Sequence, residues 1–272
     1  MLFCIDSDGC VFDNMRWKHE HAFLPAFIEV WGLGQWQELV AEHWYKINLY
    51  SQTRGINRFA AFAKCLRELQ RTGNPSLGHC LPVDLDVFEH LIANPANRNA
   101  GAIRAEANRV PDSKVFVQAL RWSDQVNERV KGIDVAHQAF PNARTALRHM
   151  AALGEVHVVS QAPHATLQEE WEQAGLAGLT TRILGQEFGS KSEQVFVARN
   201  GRDLPTLLVG DAPGDEHAAE AADCLFFPII PQQEDASWAT MTRILEDQVN
   251  LTLTNPDSFK PTLAEFHKLL GD

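Results

Sequence analysis

Short, largely apolar runs recur along this chain, and each stops on a polar or turn-forming residue. Leu2-Phe3-Cys4-Ile5 leads into Asp6, Val156-His157-Val158-Val159 into Ser160, and Leu207-Leu208-Val209 into Gly210-Asp211. A fourth run, Leu225-Phe226-Phe227, ends at Pro228. Runs of this length bounded by turn residues read as buried strands. Between them lie segments with helical spacing. Residues 142–153 set Ala143, Ala146, Leu147, Met150 and Leu153 on one face before Gly154, and residues 166–174 and 192–199 stop before Gly175 and Asn200-Gly201. Strand–helix alternation from about residue 140 onward predicts an α/β fold, a three-layer, Rossmann-like parallel sheet flanked by helices.

The stretch from 14 to 134 breaks this rhythm. It holds no alternating strand and much helical periodicity, with Phe59, Phe62, Ala63, Leu66 and Leu69 marking one helix. Val115, Val117, Leu120, Trp122 and Val126 mark another. An all-α domain over residues 14–134, inserted into a core made of 1–13 and 135–272, is the economical organisation. Asn94-Pro95 and Val110-Pro111 read as turns between its helices.

At 272 residues the chain has room for both parts, and its net charge of -11 disfavours a dedicated partner among nucleic acids or anionic membranes. Five cysteines (Cys4, Cys10, Cys65, Cys80 and Cys224) form no Cys-x-x-Cys pair, as expected of free thiols in a reducing compartment. The first residues carry no basic leader, and no apolar run approaches the ~18 residues of a membrane span. A soluble cytoplasmic protein is expected. The sequence is silent on oligomeric state.

Asp6 and Asp8 stand together where the first strand ends, which is where open α/β sheets bind ligands. Two carboxylates held close need a cation or a shared proton to relieve their repulsion. Three further signals follow in order: Ser160, Lys191 within Gly189-Ser190-Lys191, and Gly210-Asp211-Ala212-Pro213-Gly214-Asp215. Each is ordinary alone, since a serine after a strand caps helices and a single lysine is commonly solvated. Together they resemble the haloacid dehalogenase-like superfamily of hydrolases, whose members mostly transfer phosphoryl groups. The likeness covers about residues 1–13 and 135–230, and the inserted helical region falls at the superfamily's cap position.

The resemblance implies a Mg²⁺-dependent phosphatase acting on a small phosphorylated metabolite. Asp6 would be the nucleophile that forms an aspartyl-phosphate, and Asp8 the acid and base. Asp6, the backbone carbonyl of Asp8, Asp211 and Asp215 would serve the metal, Asp215 through a bound water. Ser160 and the amide of Gln161 would hold phosphoryl oxygens, and Lys191 would balance charge in the transition state. An acid at Asp8 favours phosphate esters over dehalogenation, because an ester's leaving oxygen needs a proton. Cys10 is read as packing.

Thr53-Arg54-Gly55-Ile56-Asn57-Arg58 resembles the Gly-x-x-Arg cap loop of the superfamily's sugar-phosphate mutases, which makes Arg54 and Arg58 candidate substrate ligands. Solvated charges beside a helix are the competing reading. Lys18, His19 and His21 are further candidates near the first crossing, and Trp17, Trp44 and Trp122 are expected in the helical core. A phosphomutase of sugar phosphates, and a catalytically silent ligand-binding member, are the alternatives.

Overall fold

A computed structural model of the chain describes residues 1–131, 138–247 and 256–271. The core is a parallel sheet of five strands: β1 (Leu2–Ile5), β2 (Glu155–Val159), β3 (Arg182–Leu184), β4 (Thr206–Gly210) and β5 (Leu225–Pro228). Their order is β3-β2-β1-β4-β5, which puts the N-terminal strand at the centre. β3 escaped the sequence reading. Its three residues, Arg182, Ile183 and Leu184, are too few to show a pattern.

Alternation along the strands makes three layers. Phe3, Ile5, Val158, Leu207 and Val209 pack on one face, with Leu147 and Met150 of the helix Pro141–Leu153, Trp171 of His164–Gln173, and Trp238 of Glu234–Asp247. Leu2, Cys4, Val159 and Leu208 face the other way, onto Val195 and Ala198 of the helix Lys191–Arg199 and Ala219 of Pro213–Ala221. Both faces are covered, so the strands are apolar nearly throughout, as parallel strands generally are.

Contact clustering separates two units, Met1–Met15 with Val135–Asp272, and Arg16–Asp134. The first crossing therefore falls two residues beyond the expected 13/14 boundary, and the expected second one, at 134/135, lies outside the described residues. The chain's exit and return run side by side: Phe140 N–H donates to the Val11 carbonyl at 2.9 Å and Asp13 N–H to the Gln138 carbonyl at 3.2 Å.

The described residues of the second unit are helical, without a strand. Its core is aromatic, with Phe62 and Trp122 rings 5.0 Å apart and Phe27 and Trp44 likewise 5.0 Å apart. Trp44 and Trp122 are fully buried, as expected, whereas Trp17 is half-buried and stacks on His21 at 4.3 Å. The helix Lys114–Lys131 buries Val115, Trp122 and Val126 as its spacing suggested, with Leu120 against the core, but not Val117. Phe116 and Ala119 are buried as well, and Val117 is 51% exposed. No described helix is long and apolar enough to cross a membrane.

Candidate active site

The site follows from strand register. Ile5 pairs with Val158 on β2 and with Val209 on β4, so the residues after these three adjacent strands meet at one end of the sheet. Those residues are Asp6, Ser160 and Asp211. Asp6 N–H still donates to Val209 at 2.9 Å, and Ser160 N–H to Leu184 of β3 at 3.1 Å, so both side chains leave a fixed backbone.

Asp215 joins them from the first turn of the helix Pro213–Ala221, and its Oδ2 accepts from the amides of Asp211 at 3.1 Å and Ala212 at 3.0 Å. A carboxylate accepting backbone amides at a helix start is favourably placed for the helix dipole. Gly210 permits this fold-back, because a Cβ there would stand 2.4 Å from Asp215 Cγ. Asp6, Asp211 and Asp215 are all buried and offer oxygens within 4.8 Å of one another.

Lys191 comes from the neighbouring helix on the same face of the sheet. The helix Lys191–Arg199 begins with a reciprocal cap between Ser190 and Glu193, preceded by Gly189 at φ +93°. Lys191 Nζ lies 2.8 Å from Asp6 Oδ1 and also pairs with Asp215. Read alone the lysine looked like a surface residue; here its side chain is 14% exposed. Burial pushes the Asp6 carboxyl well above the usual carboxylate range, Lys191 opposes that, and Asp215 and Asp211 reinforce it. The Asp215 carboxyl is raised for the same reasons. Burial alone would lower the Lys191 ammonium, but Asp215 and Asp6 outweigh it and hold it above its ordinary value.

Three buried carboxylates converge here, and Lys191 pairs with two of them. Such a cluster invites a divalent cation, and an all-oxygen donor set suits a hard ion. The residues present therefore fit a metal centre.

Asp8 is held apart from this cluster. Asn14, itself 1% exposed, donates from Nδ2 to Asp8 Oδ1 at 2.5 Å and accepts from Gly9 N–H at 3.3 Å. Two buried indoles pin the same loop: Trp171 Nε1 donates to Ser7 Oγ at 3.0 Å, and Trp238 Nε1 to the Cys10 carbonyl at 2.8 Å. Sequence reasoning missed Asn14, Trp171 and Trp238, although Asn14 in Asp13-Asn14 was visible as a polar residue following an apolar run. Cys10 is fully buried, and burial raises its thiol, as a packing role requires.

Ser160 is 3% exposed and its Oγ accepts from Ala162 N–H at 3.2 Å, while the Gln161 side chain donates to the Gly189 carbonyl at 3.0 Å. The loop after β2 is thereby tied to the loop that carries Lys191.

The second unit divides the two candidate arginines. Arg54 is 4% exposed and donates to the Leu49 carbonyl at 3.0 Å, closing the end of the helix Gln37–Leu49. Arg58 opens the helix Arg58–Arg71, which Asn57 caps by accepting from Phe59 N–H at 2.9 Å. Its guanidinium donates to Asn127 Oδ1 at 2.8 Å and Ser123 Oγ at 3.3 Å, and lies 5.4 Å from the centre of the Phe23 ring. No described carboxylate pairs with it, and burial lowers its pKa. His19 is buried and accepts from Trp44 Nε1 at Nδ1, 3.0 Å, which assigns the ring proton to Nε2.

No family model and no curated protein matches the chain. Among solved structures, a protein assigned as a phosphoglycolate phosphatase from Lactobacillus delbrueckii subsp. bulgaricus is 14% identical, with 84% of each chain covered and a TM-score of 0.48. A protein assigned as a β-phosphoglucomutase from Thermotoga maritima is 11% identical, over 91% of this chain and 99% of that one, with a TM-score of 0.46. A HAD-superfamily hydrolase of subfamily IA from Geobacter sulfurreducens is 16% identical, over 84% and 85%, with a TM-score of 0.41. All three scores fall below 0.5, and the site stands on its own geometry.

Proposed function

We propose that the chain is a Mg²⁺-dependent phosphatase of small phosphorylated metabolites, working through a phosphoryl group carried on Asp6. The observation that carries this reading is the oxygen cluster at the sheet's carboxyl end: Asp6, Asp211 and Asp215 buried within 4.8 Å of one another, with Lys191 on Asp6 and Asp215. Mg²⁺ held by Asp6, Asp211 and Asp215, with the Asp8 carbonyl, would screen the repulsion between a carboxylate and a phosphate.

In this mechanism an Asp6 oxygen attacks phosphorus, and the bond to the ester oxygen breaks. Asp8 protonates that oxygen as it leaves, held in position by Asn14. Asp8 then takes a proton from the water that cleaves the aspartyl-phosphate, which returns Asp6 and releases inorganic phosphate. Ser160 Oγ and the Gln161 amide bind phosphoryl oxygens, and Lys191 offsets charge that grows in the transition state. Arg58, a guanidinium without a carboxylate partner, supports a substrate that carries a further anionic group. That same observation favours a sugar-phosphate mutase as the second reading, in which the anion would be a second phosphate. The five free cysteines support a reducing, cytoplasmic setting.

A phosphate-release screen over sugar phosphates, nucleotides and phospho-acids, with and without Mg²⁺, tests the proposal. At least one ester should be hydrolysed with Mg²⁺, and Asp6→Asn should lower that rate by several orders of magnitude. Isomerisation of a sugar phosphate without net phosphate release would favour the mutase. Near-wild-type turnover by Asp6→Asn would refute Asp6 as nucleophile.

A further inference from the structure

We infer that Gln194 is a positioning residue that holds the Ser160 and Lys191 segments in one frame, an inference that rests on the phosphoryl-transfer reading for its kinetic consequence. Gln194 lies one turn after Lys191 in the helix Lys191–Arg199 and is 0% exposed. Its Nε2 donates to three carbonyls, Ser160 at 2.9 Å, Gly185 at 3.0 Å and Gly189 at 3.1 Å. An amide nitrogen has two hydrogens, so these three acceptors share them. The orientation of the amide is fixed as well, because its reverse would set an oxygen against three carbonyl oxygens.

The three carbonyls come from three different places. Ser160 follows β2, Gly185 follows β3, and Gly189 precedes the helix that begins at Lys191. One side chain therefore joins the segment that offers Ser160 Oγ and the Gln161 amide to the segment that offers the Lys191 ammonium. The arrangement leaves Gln194 Oε1 buried with no hydrogen-bond partner among the described residues. An unmet buried oxygen is destabilising, and the amide carries that cost while its nitrogen serves three carbonyls. A local rule broken beside reactive groups is expected where geometry matters more than stability.

Gln194→Met keeps the length of the side chain and removes the donor. Its kcat on the ester found in the screen should fall about 10²-fold, the scale of a misplacement near 1 Å, while KM changes far less. Its thermal midpoint should fall modestly, because the three carbonyls lose their donor, and amide hydrogen exchange should quicken at residues 160–162 and 189–191 but not in β5. Gln194→Glu, which supplies a single donor when protonated, should fall between the two. A Gln194→Met kcat within about twofold of wild type would overturn the inference, as would a rate loss with unchanged exchange at both segments. If the wild type hydrolyses no ester, the phosphoryl-transfer reading fails and the exchange measurement still decides the role of Gln194. Unchanged exchange in both variants then overturns it.

Discussion

The two units treat buried charge in opposite ways. At the sheet's carboxyl end acids gather: Asp6, Asp211 and Asp215 are buried with oxygens within 4.8 Å of one another, and Lys191 pairs with Asp6 and Asp215. In the helical unit a half-buried cation has no carboxylate partner among the described residues, and Arg58 rests on Ser123, Asn127 and the Phe23 ring. Both arrangements are costly in an isolated protein, because a charge removed from water needs a partner. Under the proposed function a divalent cation would bring positive charge to the core's acids, and a phosphorylated substrate would bring an anion for Arg58.

The largest break in this contrast comes from removing Lys191. Lys191→Met takes away the ammonium that Asp6 and Asp215 share, and denaturant unfolding without metal should show a loss of about 3–5 kcal/mol. Adding Mg²⁺ should recover part of that stability, whereas equal stability with and without Mg²⁺ would count against a metal centre. Removing the helical unit's cation should act the other way. Arg58→Met deletes an unpaired guanidinium while keeping its apolar stem, so the thermal midpoint should hold or rise. KM should increase about tenfold with a smaller change in kcat, the scale of one charge-assisted hydrogen bond. A lower midpoint with unchanged KM would make Arg58 structural.

The smallest effect belongs to a charge that is already paired. Glu155 accepts from Arg202 at 2.6 and 2.8 Å and from His157 at 3.2 Å, which holds its carboxyl down to about 2. A lowered carboxyl contributes stability above its unfolded pKa, and that contribution disappears as pH falls through the folded value. Glu155→Gln should therefore lower the midpoint slightly at pH 7, by less than about 1 kcal/mol given solvent screening. The difference should close as pH falls from about 4.5 toward 2. A difference that persists at the acid end would assign the effect to something other than the carboxylate.

What the sequence could reveal follows the same division. The acids of the core were legible because strand ends in a parallel sheet converge, so an apolar run ending in Asp6, Ser160 or Asp211 carries its own spatial address. Gly210 was legible beside Asp211, but its reason was not, since the close approach of Asp215 exists only once the helix folds back. The residues that hold the acids in place were hidden. Trp171 reaches Ser7 across 164 positions and Trp238 reaches Cys10 across 228, and no local pattern announces a contact of that separation. Gln194 was hidden for a different reason, because a glutamine on a short helix reads as solvated until the helix is seen to bury it. In the helical unit the spacing identified the helix Lys114–Lys131 and most of its inward stripe, but it took Val117 for inward and passed over Phe116 and Ala119. Arg54 and Arg58 stand in one loop, where Gly55 and Arg58 match the Gly-x-x-Arg positions. Packing adds that Arg54 reaches the Leu49 carbonyl and that Arg58 rests on Ser123 and Asn127.

Phosphoryl capture on Asp6 tests the central claim most directly. The wild type would be mixed with acetyl phosphate and Mg²⁺, quenched in acid and mapped by peptide mass spectrometry. The account predicts the mass of one phosphoryl group on the peptide that contains Asp6, lost on treatment with hydroxylamine and missing from Asp6→Asn. Turnover of the phosphoryl donor with no label on Asp6, or the same label on Asp6→Asn, would contradict it.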